Sequence, residues 1–245
     1  MVGTPDVVAL LKAAAPVAQS PYRIAGRPGL IIVDEVNGFC TVGAGALAPV
    51  SPNDQVDRMI RETDNLARRF IDAAYPVLVF RDTHEPGRVE PPYPRHCERG
   101  TGEEVLVEAL RWLESAPGIA FLDKDVIDGV IGGIGMDGSN AVYDWIDKHG
   151  LETVILVGIC TDICIADACL TLLSSRNHFF GDKPMLPTLK DVVVFEPGCA
   201  TYHLPAEAVS SLGLPPTAAH DQALFHHIGL AMMQARGAII ASDLV

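Results

Sequence analysis

Six short apolar runs punctuate the chain: Leu30–Val33, Val77–Phe80, Ile119–Leu122, Val154–Val157, Val192–Phe195 and Ala238–Ala241. Each is nearly unbroken, as expected of a strand buried on both faces rather than one alternating between core and water. Between them the apolar positions take helical spacing, at about Asn53–Ala74, Glu103–Glu114, Asn140–His149, Asp162–Arg176, Pro205–Ser211 and Gln222–Ala235. Strands alternating with helices indicate βαβ units and a parallel sheet. In such sheets ligands bind at the C-terminal ends of the strands. The Pro-rich, charged segment from Glu85 to Gly102 carries neither period and is predicted to leave the sheet as an excursion, and 178–190 reads as a second surface loop. Residues 1–20 read as an N-terminal arm or a docking helix.

Composition narrows the function classes. The 245 residues, 49% hydrophobic, can bury a large core, and 1–245 is expected to form a single domain. The 18 basic residues against 31 acidic ones give a net charge of −13, which opposes binding to nucleic acid or anionic membranes. No stretch approaches the roughly 20 apolar residues of a membrane-spanning helix, and no basic segment precedes an apolar core at the N-terminus. A cytoplasmic location is therefore expected. The six cysteines, Cys40, Cys97, Cys160, Cys164, Cys169 and Cys199, lie in a chain large enough to need no disulfides, and free thiols are expected.

Three residues at predicted strand ends carry the first chemical signal. Gly158-Ile159-Cys160-Thr161-Asp162-Ile163-Cys164 follows the fourth run and opens a helix. A thiol in a first helical turn feels unpaired amides and the positive end of the helix dipole, which favour thiolate, so Cys164 is a candidate nucleophile. The plainer reading is a small residue packing strand against helix. Asp34 ends the first run, where partial burial raises a carboxyl pKa and suits it to move a proton. Taken alone it could equally cap a turn. Lys124 follows the third run, and a cation there stabilises thiolate and carboxylate alike. Together the acid, the lysine and the cysteine favour a nucleophilic site over three unrelated packing roles.

A second cluster is Asp82-Thr83-His84, joined by Glu90 and His96 from the excursion. Two imidazoles with carboxylates can hold Zn²⁺, Mn²⁺ or Fe²⁺. His226-His227 reads as a solvated or core-edge pair, and Gly132, Gly133 and Gly135 as turn glycines, because no Lys-Ser/Thr follows them.

The set Asp34, Lys124 and Cys164 resembles the triad of the isochorismatase-like cysteine hydrolases. The likeness runs through Leu30-Ile31-Ile32-Val33-Asp34-Glu35-Val36-Asn37-Gly38-Phe39-Cys40-Thr41, Tyr93-Pro94-Arg95-His96-Cys97, Lys124-Asp125 and the Gly158–Cys164 segment. Within that superfamily the chain is most similar to nicotinamidases, the plant-type members in particular. The resemblance implies an α/β, three-layer, doubly wound fold with a six-stranded parallel sheet flanked by helices, and a cis peptide joining Ile159 to Cys160. It implies an oxyanion hole from the N–H groups of Cys160 and Cys164, and metal ligation by Asp82, His84 and His96 with Glu90, rather than Glu85, as the fourth ligand. The metal implied is a divalent one, Zn²⁺ ahead of Mn²⁺ or Fe²⁺. Phe39 and Tyr93 match aromatics lining the ring pocket. The implied activity is hydrolysis of nicotinamide in NAD salvage, with homo-oligomerisation left open. Two rivals stand beside it: an amidase of the same superfamily acting on a carbamoyl or ureido compound, and a non-catalytic metal-binding or thiol redox protein.

Overall fold

The computed structural model describes residues 7–211 and 215–245. The six apolar runs form strands β2 (Pro28–Val33), β3 (Val77–Asp82), β4 (Ile119–Lys124), β5 (Thr153–Ile159), β8 (Asp191–Ala200) and β9 (Ile239–Leu244). A seventh strand, β1 (Ser20–Tyr22), pairs with β9 at the edge, so the parallel sheet has seven strands rather than six, in the order β1-β9-β8-β5-β2-β3-β4. Three residues containing a proline and mostly exposed carry no hydrophobic signal. Proline is tolerated there because an edge strand need not donate on its outer side.

The unbroken runs follow from two cores. Along β2, Ile31 and Val33 face one core, with Leu156 of β5, Ile146 of α5 (Ala141–His149), Leu172 of α6 (Cys164–Arg176) and Met233 of α8 (Gln222–Ala235). Leu30 and Ile32 face the other, with Met59, Leu66 and Phe70 of α3 (Asp54–Asp72). Strands β2 and β5, at the centre of the sheet, are buried on both faces throughout, so their runs are almost wholly apolar. Asn53 caps α3 by accepting from the N–H groups of Gln55 and Val56 at 3.1 Å.

The helix expected at Glu103–Glu114 is instead a 3₁₀ helix over Glu108–Ser115. Residues before it are drawn into extended pairing: Asn37 N–H donates to Val105 O at 2.8 Å and Val107 N–H to Glu35 O at 3.0 Å. The expected loop at 178–190 contains a minimal hairpin, β6 (Phe179–Phe180) with β7 (Lys183–Pro184). Gly132 closes a single helical turn, α4 (Gly129–Gly132). The N-terminal segment forms α1 (Val7–Ala14) and docks on α8: Gln234 exchanges hydrogen bonds of 2.8 and 2.6 Å with the Ala18 backbone. The first six residues of that arm lie outside the described residues. His227 is buried and bonds Ala15 O at 2.8 Å, so the histidine pair sits at a core edge rather than in solvent.

From β2 the chain winds outward through β3 and β4, then crosses to β5 on the other side of β2. A doubly wound sheet opens a crevice at that reversal, beyond the C-terminal ends of β2 and β5. Gly158, with φ +123°, lets these strands close up at that point, since a Cβ there would meet Val33 O at 2.1 Å. Register places Asp82 beside Lys124 at the matching ends of β3 and β4.

Candidate active site

Asp34, Lys124 and Cys164 meet at the crevice. Asp34 follows β2 in the left-handed region, φ 54°, and is fully buried. Such a conformation is sparsely populated for non-glycine residues and is a feature of functional sites. Lys124 Nζ lies 2.8 Å from Asp34 Oδ2 and 3.0 Å from Asp82 Oδ1, and donates to Val126 O at 3.1 Å. Three oxygens, two of them on carboxyl groups, thus surround the ammonium, which is how a buried lysine remains charged. Burial disfavours that charge, but Asp34, Cys164 and Asp82 together push the lysine well above its ordinary pKa.

Cys164 opens α6, and its thiol lies within electrostatic reach of the Asp34 carboxylate and the Lys124 ammonium. The thiolate expected from the helix terminus is not the resting form. Burial, reinforced by Asp34 and Cys160, raises the thiol well above its usual pKa, and Lys124 only partly opposes this. Burial also lifts Asp34, with Asp82 adding and Lys124 restraining, to about 6. A neutral thiol therefore faces a carboxylate poised near neutrality.

The Ile159–Cys160 peptide is cis. Cys160 O accepts from the N–H groups of Ile163 and Ile165, both at 3.1 Å, whereas the N–H groups of Cys160 and Cys164 donate to no described group. Two unspent donors thus remain beside the thiol.

Asp82 links this site to the second cluster. Its Oδ1 receives Lys124, while Oδ2 lies 3.2 Å from His84 Nε2 and 3.1 Å from His96 Nε2. Glu90 Oε2 completes the group at 3.8 and 3.7 Å from the same two nitrogens, and all four ligand atoms lie within 4.8 Å of one another. His96 Nδ1 points at Pro94 O, 2.7 Å away, which leaves Nε2 as the free lone pair when Nδ1 carries the proton. Asp82 Oδ2 and His84 Nε2 are buried without a hydrogen-bond partner. Orphaned acceptors converging on one point fit a divalent cation. Burial opposes the Asp82 charge, yet Lys124, His84 and His96 hold its carboxyl well below the ordinary range. Phe39 and Tyr93, both half-buried, stand with ring centroids 5.6 and 6.1 Å from that of His96.

A family model described as Isochorismatase domain matches residues 28–179, the span from β2 to the end of α6 and the start of the hairpin. The chain belongs to the isochorismatase family. Nicotinamidase 1 of Arabidopsis thaliana is 44% identical over 237 residues, covering 96% of this chain and 94% of that protein. The crystal structure of the nicotinamidase PncA from Bacillus subtilis superposes with a TM-score of 0.64 at 17% identity, covering 89% of this chain and 100% of that one. A pyrazinamidase of Pyrococcus horikoshii in complex with zinc gives a TM-score of 0.58 at 17% identity, over 88% and 98% of the two chains. These structural matches show the isochorismatase fold.

Several residues around the isochorismatase-type crevice carried no sequence signal. Asp162, between the two free amides, is bound by Thr201 and His220. Tyr202 reaches the same region, and burial, with Cys160 and Tyr93 nearby, raises its phenol pKa. Glu35 lies fully buried next to Asp34, where burial raises its carboxyl well above the usual value. Glu35 and Asp162 lie inside segments that carry the family likeness but were given no role there, whereas Tyr202 and His220 lie in no such segment and become neighbours of the crevice only through the fold.

Proposed function

We propose that this protein is a nicotinamidase that hydrolyses nicotinamide to nicotinate and ammonia through a thioester on Cys164. The observation that carries the reading is Asp82, whose two oxygens join the Lys124–Asp34–Cys164 cluster to a four-ligand cation site. The 44% identity to a nicotinamidase over nearly the whole chain supports the substrate. The reading takes 1–245 as one catalytic domain, since both cores share one sheet. It places the protein in the cytoplasm, in keeping with six free thiols.

Asp34 accepts the Cys164 proton as sulfur attacks the carboxamide carbon, and the carbonyl π pair moves onto oxygen. The Cys160 and Cys164 N–H groups receive that oxyanion, and Lys124 balances the charge around Asp34. Collapse of the tetrahedral intermediate breaks the C–N bond, and the proton held by Asp34 leaves with ammonia. Water, deprotonated by Asp34, then cleaves the thioester and returns the proton to sulfur. A divalent ion held by Asp82, His84, Glu90 and His96, with Zn²⁺ our choice, supplies a Lewis-acid site suited to a pyridine nitrogen. Phe39 and Tyr93 supply flat apolar walls for the ring. Acid quenching during turnover is expected to trap a nicotinoyl adduct on Cys164, detectable by peptide mass spectrometry. An adduct on another residue would count against Cys164 as the nucleophile.

Asp34 must be ionised to accept the thiol proton. With its pKa near 6, kcat/KM is expected to fall about tenfold per pH unit below that value and to level off above it. A profile flat down to about pH 4, the ordinary carboxyl range, would contradict Asp34 as the base.

Dialysis against a chelator is expected to raise KM for nicotinamide by about tenfold or more, with Zn²⁺ restoring it. Unchanged saturation in protein shown to be metal-free would contradict the ring-anchoring role.

A further inference from the structure

His220 is one of the most completely engaged side chains in the molecule, and the mechanism so far makes no use of it. Its Nε2 lies 2.9 Å from Asp162 Oδ2 and its Nδ1 lies 2.9 Å from Tyr202 O. Both partners are pure acceptors, so each ring nitrogen faces an oxygen that can only accept. The ring is stacked between Tyr202, 3.8 Å away at 16°, and Phe225, 4.1 Å away at 14°, and is 4% exposed. Reciprocal backbone bonds with Leu204, 2.8 and 2.7 Å, fix the backbone that carries it. Thr201 Oγ1 donates to the second Asp162 oxygen at 2.6 Å.

Asp162 is the midpoint of the Cys160–Cys164 segment, two residues from each free amide. The rest of the segment is held by the same C-terminal third of the chain: Thr161 N–H donates to Ala200 O at 2.9 Å, and Thr161 Oγ1 lies 2.8 Å from His226 Nδ1. Helix α8 comes close enough that a Cβ on Gly229 would stand 2.8 Å from Asp162 Cα. Among the described residues, the side chains that meet the Asp162 carboxylate are Thr201 and His220.

We propose that His220 is a positioning residue: its hydrogen bond to Asp162 holds the Cys160–Cys164 segment so that both amides point at the developing oxyanion. The inference rests on the amidase reading above. It extends the reaction machinery to the segment after residue 200, beyond the span the family model matches. Packing alone would be met by any flat ring between Tyr202 and Phe225, whereas positioning requires the donor to Asp162.

Two variants separate these roles. His220→Phe keeps the stack and removes both donors; His220→Gln removes the ring and keeps one donor within reach of Asp162. The expected result for His220→Phe is a fall in kcat of about 10- to 100-fold with KM within about threefold, because misaimed amides weaken transition-state binding alone. Alkylation of Cys164 by iodoacetamide needs no oxyanion hole and should keep its wild-type rate. His220→Gln should recover most of the lost kcat. Wild-type kcat in His220→Phe, or loss in His220→Gln with retention in His220→Phe, would overturn the proposal and leave the nicotinamidase reading standing. If wild-type protein releases no ammonia from nicotinamide, the substrate reading fails instead. The positioning role is then decided by amide hydrogen exchange over 159–164, faster in His220→Phe than in wild type if the role is real, and unchanged if it is not.

Discussion

Replacing Cys164 with alanine is expected to lower amide hydrolysis by about 10⁴-fold or more, the scale at which loss of a nucleophile leaves only binding and oxyanion stabilisation. The thiol stands beside Asp34 and Lys124, which both act on its charge. Cys160, four residues earlier, stands instead beside Thr201 and Tyr202. The fold should survive, since one small buried sulfur is lost, and a melting shift of only a few degrees is expected. Metal content should be unchanged, because Cys164 is not among the four converging ligands. Ammonia assays, melting curves and metal analysis on the same preparation check all three points. Substantial residual turnover in Cys164→Ala would mean that another group attacks the amide.

Lys124→Met is expected to damage stability and activity together. The ammonium is fully buried between Asp34 and Asp82, and methionine of similar volume leaves two carboxylates without their shared cation. Breaking one side of a buried ion pair costs about 3–5 kcal/mol, which for a chain of this size lowers the melting temperature on the order of 10 °C. Activity should fall by about 10²-fold or more, because Asp34 loses the charge that restrains its pKa and is protonated at neutral pH. The sign of the pH dependence follows. A carboxyl raised above its unfolded value adds stability when protonated and loses that contribution as pH rises through the folded pKa. The deficit of the variant should therefore be larger at about pH 7 than at about pH 5. A melting temperature equal to wild type at both would show that Lys124 is not the cation of this cluster.

Much of this was legible in the sequence because burial on both faces leaves a plain mark. Leu30–Val33 and Val154–Val157 read as strands since alternate residues enter opposite cores, and their ends located Asp34 and the Cys164 segment directly. Asp82, His84, Glu90 and His96 could be grouped by residue type, but only the family likeness made them a ligand set, because their convergence depends on the excursion folding back. That fold-back is made by backbone bonds, His84 N–H to Cys97 O and Arg99 N–H to His84 O, which no periodicity records. Strand β1 was invisible because its pairing with β9 uses backbone alone. The helix expected from Glu103 failed because pairing of 105–107 with 35–37 overrides local preference. The thiolate assigned to Cys164 from its helix position failed for an energetic reason: the dipole acts within the first turn and is modest, whereas full burial beside Asp34 penalises the charge far more. Asp162 and His220 are 58 residues apart, and only the tertiary structure joins them.

The central claim is tested most directly by incubating the purified, metal-loaded protein with nicotinamide and measuring ammonia and nicotinate together. Equal amounts of both, produced catalytically, are the predicted result. No ammonia from nicotinamide, with the metal confirmed bound and a carbamoyl compound hydrolysed instead, would contradict it and move this site to a different amide.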